Sequence, residues 1–248
     1  MSVQTPEELA ALRRAGRAVA ATLREVSRRV RPGVTTGELD AVAARVLARH
    51  GARSAPNLVY GFPGAICISV DDEAVHGIPG PRRLRAGQLV TLDVTAELDG
   101  FYADAAVTVS VGTASAALRR LAGAAQSALR RGLQAAVAGA PVNAIGAAVE
   151  READRRNVAV LGELTGHGIG RTIHEEPTVP SVYVAGLDAP LDENTVLTIE
   201  PIVSLGGRGL RVAGDGWTVL TADGSPVAHA EHTIVVTGGR PLVLTAAG

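Results

Sequence analysis

Apolar residues fall at helical intervals near the start of the chain: Leu9, Leu12, Val19, Leu23 and Val26 recur three, four or seven positions apart. Thr5-Pro6-Glu7-Glu8 supplies a capping hydroxyl, a proline suited to the first helical turn and a glutamate three residues after the cap, while Arg31-Pro32-Gly33 ends the run. The pattern predicts a helix with one buried face. A second helix, capped at Thr35 or Thr36 with Glu38 in register for a capping box, extends to about His50-Gly51. Residues 58–70 are rich in β-branched and aromatic types around Gly61-Phe62-Pro63-Gly64, which reads as short strands flanking a loop. Residues 89–95 and 101–111 are clearer strands, joined by a turn at Leu98-Asp99-Gly100 into a hairpin. Two further helices follow over 114–137 and 143–156, and 158–244 is strand-rich and punctuated by glycine and proline.

The order helix, helix, strands therefore occurs twice, at an offset of ~110 residues that is longer than any solenoid period. Val30-Arg31-Pro32 and Gly139-Ala140-Pro141 mark comparable points. Two pseudo-equivalent halves are expected, within a single catalytic domain spanning residues 1–248.

Composition narrows the chemistry. A chain of 248 residues can bury a substantial core, and its net charge of −1 and scattered basic residues offer no footprint for nucleic acid. All 24 basic residues are arginine, which excludes a Schiff-base lysine and a phosphate-loop lysine. Cys67 is the sole cysteine, so no intrachain disulfide can form and a reducing compartment fits best. Residues 1–16 carry Glu7, Glu8, Arg13 and Arg14 where a signal peptide or membrane span would be apolar, so the expectation is a cytoplasmic protein with no membrane contact.

Four acids stand in apolar surroundings. Asp93 lies among Leu89, Val90, Leu92 and Val94, and Asp104 among Phe101, Tyr102, Ala103, Ala105 and Ala106; their placement about the turn predicts that they face each other across adjacent strands. Two such carboxylates repel and are desolvated, so one takes a proton or a cation sits between them. Glu200 falls inside Leu197-Thr198-Ile199-Glu200-Pro201-Ile202-Val203, read as the middle of an apolar strand, and Glu231 heads another at Glu231-His232-Thr233-Ile234. With no lysine in the chain and no arginine flanking Asp93, Asp104 or Glu231, a metal cluster is the simplest source of positive charge. His167, set in Gly166-His167-Gly168-Ile169-Gly170, adds an accessible imidazole. Two Asp, two Glu and one His make an oxygen-rich set able to hold two divalent ions ~3.5–4 Å apart, with cobalt, manganese, iron(II) and zinc all acceptable.

Val75-His76-Gly77-Ile78-Pro79, Leu92-Asp93-Val94-Thr95 with Asp104 eleven residues after Asp93, Gly166 to Arg171, His174-Glu175-Glu176-Pro177, Thr198-Ile199-Glu200-Pro201 and Glu231 to Val236 occur in one order at characteristic spacings. This ordered set resembles the type I methionine aminopeptidases, from Thr5 to about Leu244. The resemblance implies an α+β pita-bread fold: two pseudo-symmetric α/β halves whose curved antiparallel sheet carries the site, with helices outside. It implies Asp93, Asp104, His167, Glu200 and Glu231 as ligands of two divalent ions, with Asp104 and Glu231 bridging. A bridging hydroxide would attack the peptide carbonyl, with Glu200 as proton shuttle and with His76 and His174 facing substrate. Val59, Phe62, Cys67, Ile173 and Trp217 match the methionine pocket, and the implied substrate is a peptide or nascent protein beginning with Met. A monomer that can approach the ribosome surface completes the expectation.

The match departs in places. Val59 and Ile173 stand where the family usually has aromatics, His229-Ala230 where it commonly has glutamine and an aromatic, and Ala105-Ala106 where hydroxyls are usual. Asp71, Glu73 and Val227 fall where some relatives bind a monovalent cation, a site not carried over. Two other readings stand beside the main one: an X-Pro aminopeptidase or prolidase of the same fold, and a non-catalytic pita-bread binding protein.

Overall fold

The computed structural model describes residues 1–246. Helix α1 (Pro6–Ser27) is capped by the Thr5 hydroxyl accepting from the Glu8 amide, and α2 (Thr36–Arg49) carries the reciprocal Thr35–Glu38 capping box. After the two-residue β1 (Arg53–Ser54), the chain forms a short helix, α3 (Ala55–Tyr60), where the composition of 58–70 pointed to a strand. Ser54 caps the Asn57 amide, Pro56 suits the first turn, and Gly61 ends the helix in the left-handed region at φ 71°. These end signals outweigh the strand preference of Val59 and Tyr60. Strands β2 (Cys67–Val70) and β3 (Glu73–Val75) lead to the long hairpin β4 (Leu89–Leu98) and β5 (Phe101–Ser110). Asp99 and Gly100, at φ 55° and 79°, make its two-residue turn.

Helices α4 (Ala116–Ala135) and α5 (Asn143–Arg155) open the second half. Ten short strands follow: β6 (Ala159–Val160), β7 (Gly166–Gly168), β8 (Glu175–Val179), β9 (Val196–Ile199), β10 (Ile202–Ser204), β11 (Leu210–Val212), β12 (Val219–Thr221), β13 (Val227–His229), β14 (His232–Val235) and β15 (Leu242–Val243). β4 pairs with β5, β2 and β1; β9 lies between β14 and β7; β10 lies between β13 and β6.

Each half buries a pair of helices on one face of its sheet. Val19, Leu23 and Val26 of α1 and Leu39, Val46 and Leu47 of α2 pack on Val90, Leu92, Val94 and Ala96 of β4 and on Ala103 and Ala105 of β5. Leu121, Ala125 and Leu129 of α4 and Ile145 and Val149 of α5 pack on Leu197, Ile199, Val203, Ala228 and Ile234. Full burial of each such leucine or valine contributes about 1.5–3 kcal/mol, so the helix layers fix which face of each sheet points inward. The period of two along a strand then sends every alternate residue to the opposite face. That face carries Asp93, Thr95, Asp104 and Thr108 in the first half and Thr198, His229 and Thr233 in the second. Here the sheets meet: Val107 bridges Ala230, and the Glu231 amide donates to the Ala106 carbonyl at 2.9 Å.

Two sequence expectations change in detail. Asp93 pairs with Ala106 and Asp104 with Thr95, so the two aspartates are diagonal neighbours on one face and not directly opposed. The two-residue turn sets Leu98 against Phe101, so each residue pairs two positions further along the partner strand than expected. Glu200 does not sit within a strand. The ladder joins His232 to Ile199 and His229 to Ile202 in one continuous register, yet breaks between them, where Pro201 lacks an amide hydrogen. Glu200 and Glu231 are the pair that this register would set opposite each other.

Candidate metal centre

The inward face opens on a cavity of about 380 Å³, lined by Asp93, Asp104, His167, Glu200 and Glu231 together with His76, His174, Phe62, Cys67, Ile173 and Trp217. Val59 lies outside this lining, 44% exposed on α3; the neighbouring Tyr60 reaches the cavity from that helix.

Each polar side chain is held from its own strand or the next. Cys67 is the β2 residue paired with Asp93, which brings its thiol into the cavity. The Thr95 hydroxyl donates to Asp104 Oδ2 at 2.7 Å, and the Asp104 amide and carbonyl both bond the Thr233 hydroxyl at 2.8 and 2.7 Å. In the second half Thr198 plays the matching part: its hydroxyl accepts from the His167 amide at 3.0 Å and donates to Glu200 Oε1 at 3.0 Å. The Gly168 carbonyl, which can only accept, lies 2.9 Å from His167 Nδ1. The ring proton therefore sits on Nδ1, and the lone pair of Nε2 faces Glu200 Oε1 at 3.6 Å. Gly168 itself is forced by packing, because a Cβ there would lie 2.1 Å from the Glu176 carbonyl oxygen.

His76 has φ 58°, uncommon for a non-glycine residue, and stands before Gly77, whose missing side chain lets the chain press against the Ile68 carbonyl. His174 stacks edge-on to His167 with centroids 4.3 Å apart, and its Nδ1 lies 2.6 Å from the Tyr60 hydroxyl. With that hydroxyl donating, the His174 proton is on Nε2. Phe62 and Trp217 form an apolar wall, edge to face at 5.3 Å.

The electrostatics call for a cation. Burial pushes the Asp93, Glu200 and Glu231 carboxyls well above the usual carboxylate range, with Asp104 adding to each, while Asp104 is itself raised by burial but held back by the Thr95 hydrogen bond. Burial lowers His76, His167 and His174 from the ordinary imidazole value, which favours their neutral forms. Among the described residues, only His167 and His229 come within ion-pairing distance of Glu200 or Glu231, and no arginine does. Asp104 Oδ1 and Glu231 Oε1 are buried without a hydrogen-bond partner. Two groups of donors have the spacing of a metal site: Asp104, His167 and Glu231, and Glu200, His229 and Glu231. The residues present fit a metal, and Glu231 is common to both groups.

A curved two-half sheet with helices outside and a buried carboxylate–histidine cluster within defines a pita-bread metallopeptidase. Metallopeptidase family M24 matches residues 10–238. The chain is 44% identical over 247 residues to methionine aminopeptidase 2 of Bacillus subtilis, covering 99% of each. It superposes on the methionine aminopeptidase of Thermotoga maritima with a TM-score of 0.96 at 32% identity and full coverage of both chains. On that of Rickettsia prowazekii the TM-score is 0.95 at 34% identity, covering 99% of this chain and 100% of that one. The chain belongs to metallopeptidase family M24, and within it to the methionine aminopeptidase group.

Sequence reading missed several parts of the site. Tyr60 falls in a segment whose composition suggests strand, and Thr95, Thr198 and Thr233 stand in the quoted motifs without a role of their own. The period of two was the available signal, since Thr95 lies two residues from Asp93, Thr198 two from Glu200 and Thr233 two from Glu231. His229 shares that signal; it stood out only as a departure from the family pattern.

Proposed function

We propose that the chain removes N-terminal methionine from peptides and nascent proteins, using two divalent ions held by Asp93, Asp104, His167, Glu200 and Glu231. The observation that carries this reading is the convergence of all five on one buried face, with orphan carboxylate oxygens and an apolar wall beside them. The near-complete coverage shared with relatives named methionine aminopeptidase supports this substrate over an X-Pro substrate or a non-catalytic role. Glu231 and Asp104 are suited to bridge, the first by belonging to both donor groups, the second by its free Oδ1. Two divalent ions held by these residues would supply an activated water and polarise the scissile carbonyl.

The remaining steps belong to the protein. Phe62, Trp217, Cys67 and Ile173 receive the thioether, for which an aromatic edge and a buried thiol are soft, polarisable neighbours. Val59, exposed on α3, meets only what lies at the cavity's rim. His174, with its Nε2 proton, donates to the peptide carbonyl as it gains negative charge, and His76 orients the amide nitrogen. Glu200, whose burial favours the protonated form, passes a proton to the leaving amine. Residues 1–248 act as one catalytic unit, as a monomer in the cytoplasm, at or near the ribosome surface. Among the described residues no helix is long and apolar enough to cross a membrane. Cobalt, manganese, iron(II) and zinc each suit the donors.

Hydrolysis of Met-Ala-Ser and Pro-Ala-Ser by chelator-stripped protein, with and without Co(II) or Mn(II), tests the assignment. Metal-dependent release of methionine alone, lost in Asp104→Ala, is expected. Absence of release with every metal would overturn it.

A further inference from the structure

His229 is buried beside Glu200 and Glu231, 1% exposed, and neither of its ring nitrogens has a hydrogen-bond partner. A neutral imidazole always carries one lone pair and one N–H, and a desolvated side chain with both unmet is rare in a folded protein. The ring cannot readily turn away to find partners. Its backbone amide and carbonyl are both tied to the Thr108 hydroxyl of β5, at 2.8 and 2.9 Å, and the strand alternation that points Glu231 and Thr233 inward points His229 the same way.

The distances say what the ring faces. His229 Nε2 lies 3.7 Å from Glu231 Oε2 and 3.9 Å from Glu200 Oε2. Both are too long for hydrogen bonds. Both match the spacing of donors around one ion, because bonds of ~2.0–2.2 Å put neighbouring ligand atoms a little over 3 Å apart and opposed ones near 4 Å. His167 Nε2 stands at 3.6 Å from the other oxygen of Glu200, so the two histidines flank that carboxylate.

We propose that His229 is a sixth protein ligand of the metal centre, its Nε2 joining Glu200 and Glu231 at one of the two ion positions. The inference rests on the metal-binding reading above. It gives the centre two imidazoles, one per donor group, with Glu231 shared. A second nitrogen donor favours Co(II), Fe(II) or Zn(II) over harder ions such as Mg(II) or Mn(II). It also meets one of the two orphan ring atoms.

The test begins with the unaltered protein. Each histidine bound to Co(II) contributes a strongly shifted ring N–H proton in the paramagnetic proton spectrum, so the wild-type protein loaded with two equivalents of Co(II) is expected to show two. Equilibrium dialysis of metal-free wild type and His229→Gln, matched by circular dichroism, is expected to show one Co(II) site weakened about 10–100-fold and Mn(II) uptake changed far less. One shifted N–H in the wild type, with superimposable Co(II) isotherms for the two proteins, would overturn the proposal while leaving the metal reading intact. No Co(II) uptake by the wild type would sink both. Should His229→Gln fail to fold, the wild-type spectrum alone decides.

Discussion

The β4–β5 hairpin and the ribbon formed by β9–β10 and β13–β14 bring acids to one point by opposite means. In the hairpin the ladder is unbroken from Leu89–Ser110 to Leu98–Phe101, and Asp93 and Asp104 point inward because the pleat sends every second residue there. In the ribbon the register is equally continuous, but the ladder breaks at Glu200-Pro201 opposite Ala230-Glu231, where the Ala230 amide still donates to the Pro201 carbonyl at 3.3 Å. Regular pairing fixes the backbone under the first two carboxylates, with the Thr95 and Thr233 hydroxyls adding bonds at Asp104. The interrupted pair depends more on side-chain struts, chiefly Thr198, which holds both Glu200 and the His167 amide. A regular strand places ligands cheaply; a break lets two acids approach a shared ion from the ends of strands.

The largest test removes an acid from each region. Asp104→Ala and Glu231→Gln are each expected to lower metal-dependent peptide hydrolysis by at least about a thousandfold, since the metal's share of transition-state stabilisation is several kcal/mol. Stability should move otherwise: the Glu231 carboxyl is raised by burial, so its charged form opposes folding as pH rises. Metal-free Glu231→Gln should therefore melt no lower than wild type at pH 8, and a clearly lower melting temperature would contradict the buried-repulsion account.

Next in size is Gly168→Ala in the strand beside the ribbon. Its new Cβ would meet the Glu176 carbonyl at 2.1 Å, and overpacking of this kind costs about 2–3 kcal/mol. Urea denaturation should show the loss, with methionine release falling as His167 is displaced. Matched hydroxyl deletions sharpen the contrast further. Thr198→Val should weaken metal binding by about 10–100-fold, and Thr95→Val by less, because the Asp104 backbone is also clamped by Thr233. Isothermal titration with Co(II) separates the two; equal losses would mean that the broken ribbon is no more dependent on its struts than the hairpin.

The last comparison is the pH dependence. Burial keeps protons on Asp93, Glu200 and Glu231 above the usual carboxylate range, and metal binding must release them. Apparent affinity should rise between pH 6 and 8, by about tenfold per unit for each proton released, and calorimetry in buffers of different ionisation enthalpy should count those protons. Burial lowers the histidines from their ordinary value, which weakens proton competition for their ring nitrogens.

Much of this architecture could be read from residue order. Caps at Thr5 and Thr35, the Asp99-Gly100 turn and the apolar alternation around Asp93 are local signals, and local signals survive without knowledge of the partner strand. The short helix at Ala55–Tyr60 is hidden by its β-branched composition, although Ser54, Pro56 and Gly61 carry its end signals. Within that helix Tyr60 reaches His174 while Val59 stays exposed.

The sequence by itself determined the helix pairs, the hairpin, the absence of lysine chemistry and the acids that had to be buried together, because each follows from local pattern or composition. The tertiary structure decided the diagonal register of Asp93 and Asp104, the break at Glu200-Pro201 and the seating of His229 beside two glutamates. Those depend on where one strand stops pairing with another, and that is set by the partner strand and the turn between them, which the local sequence of neither strand records.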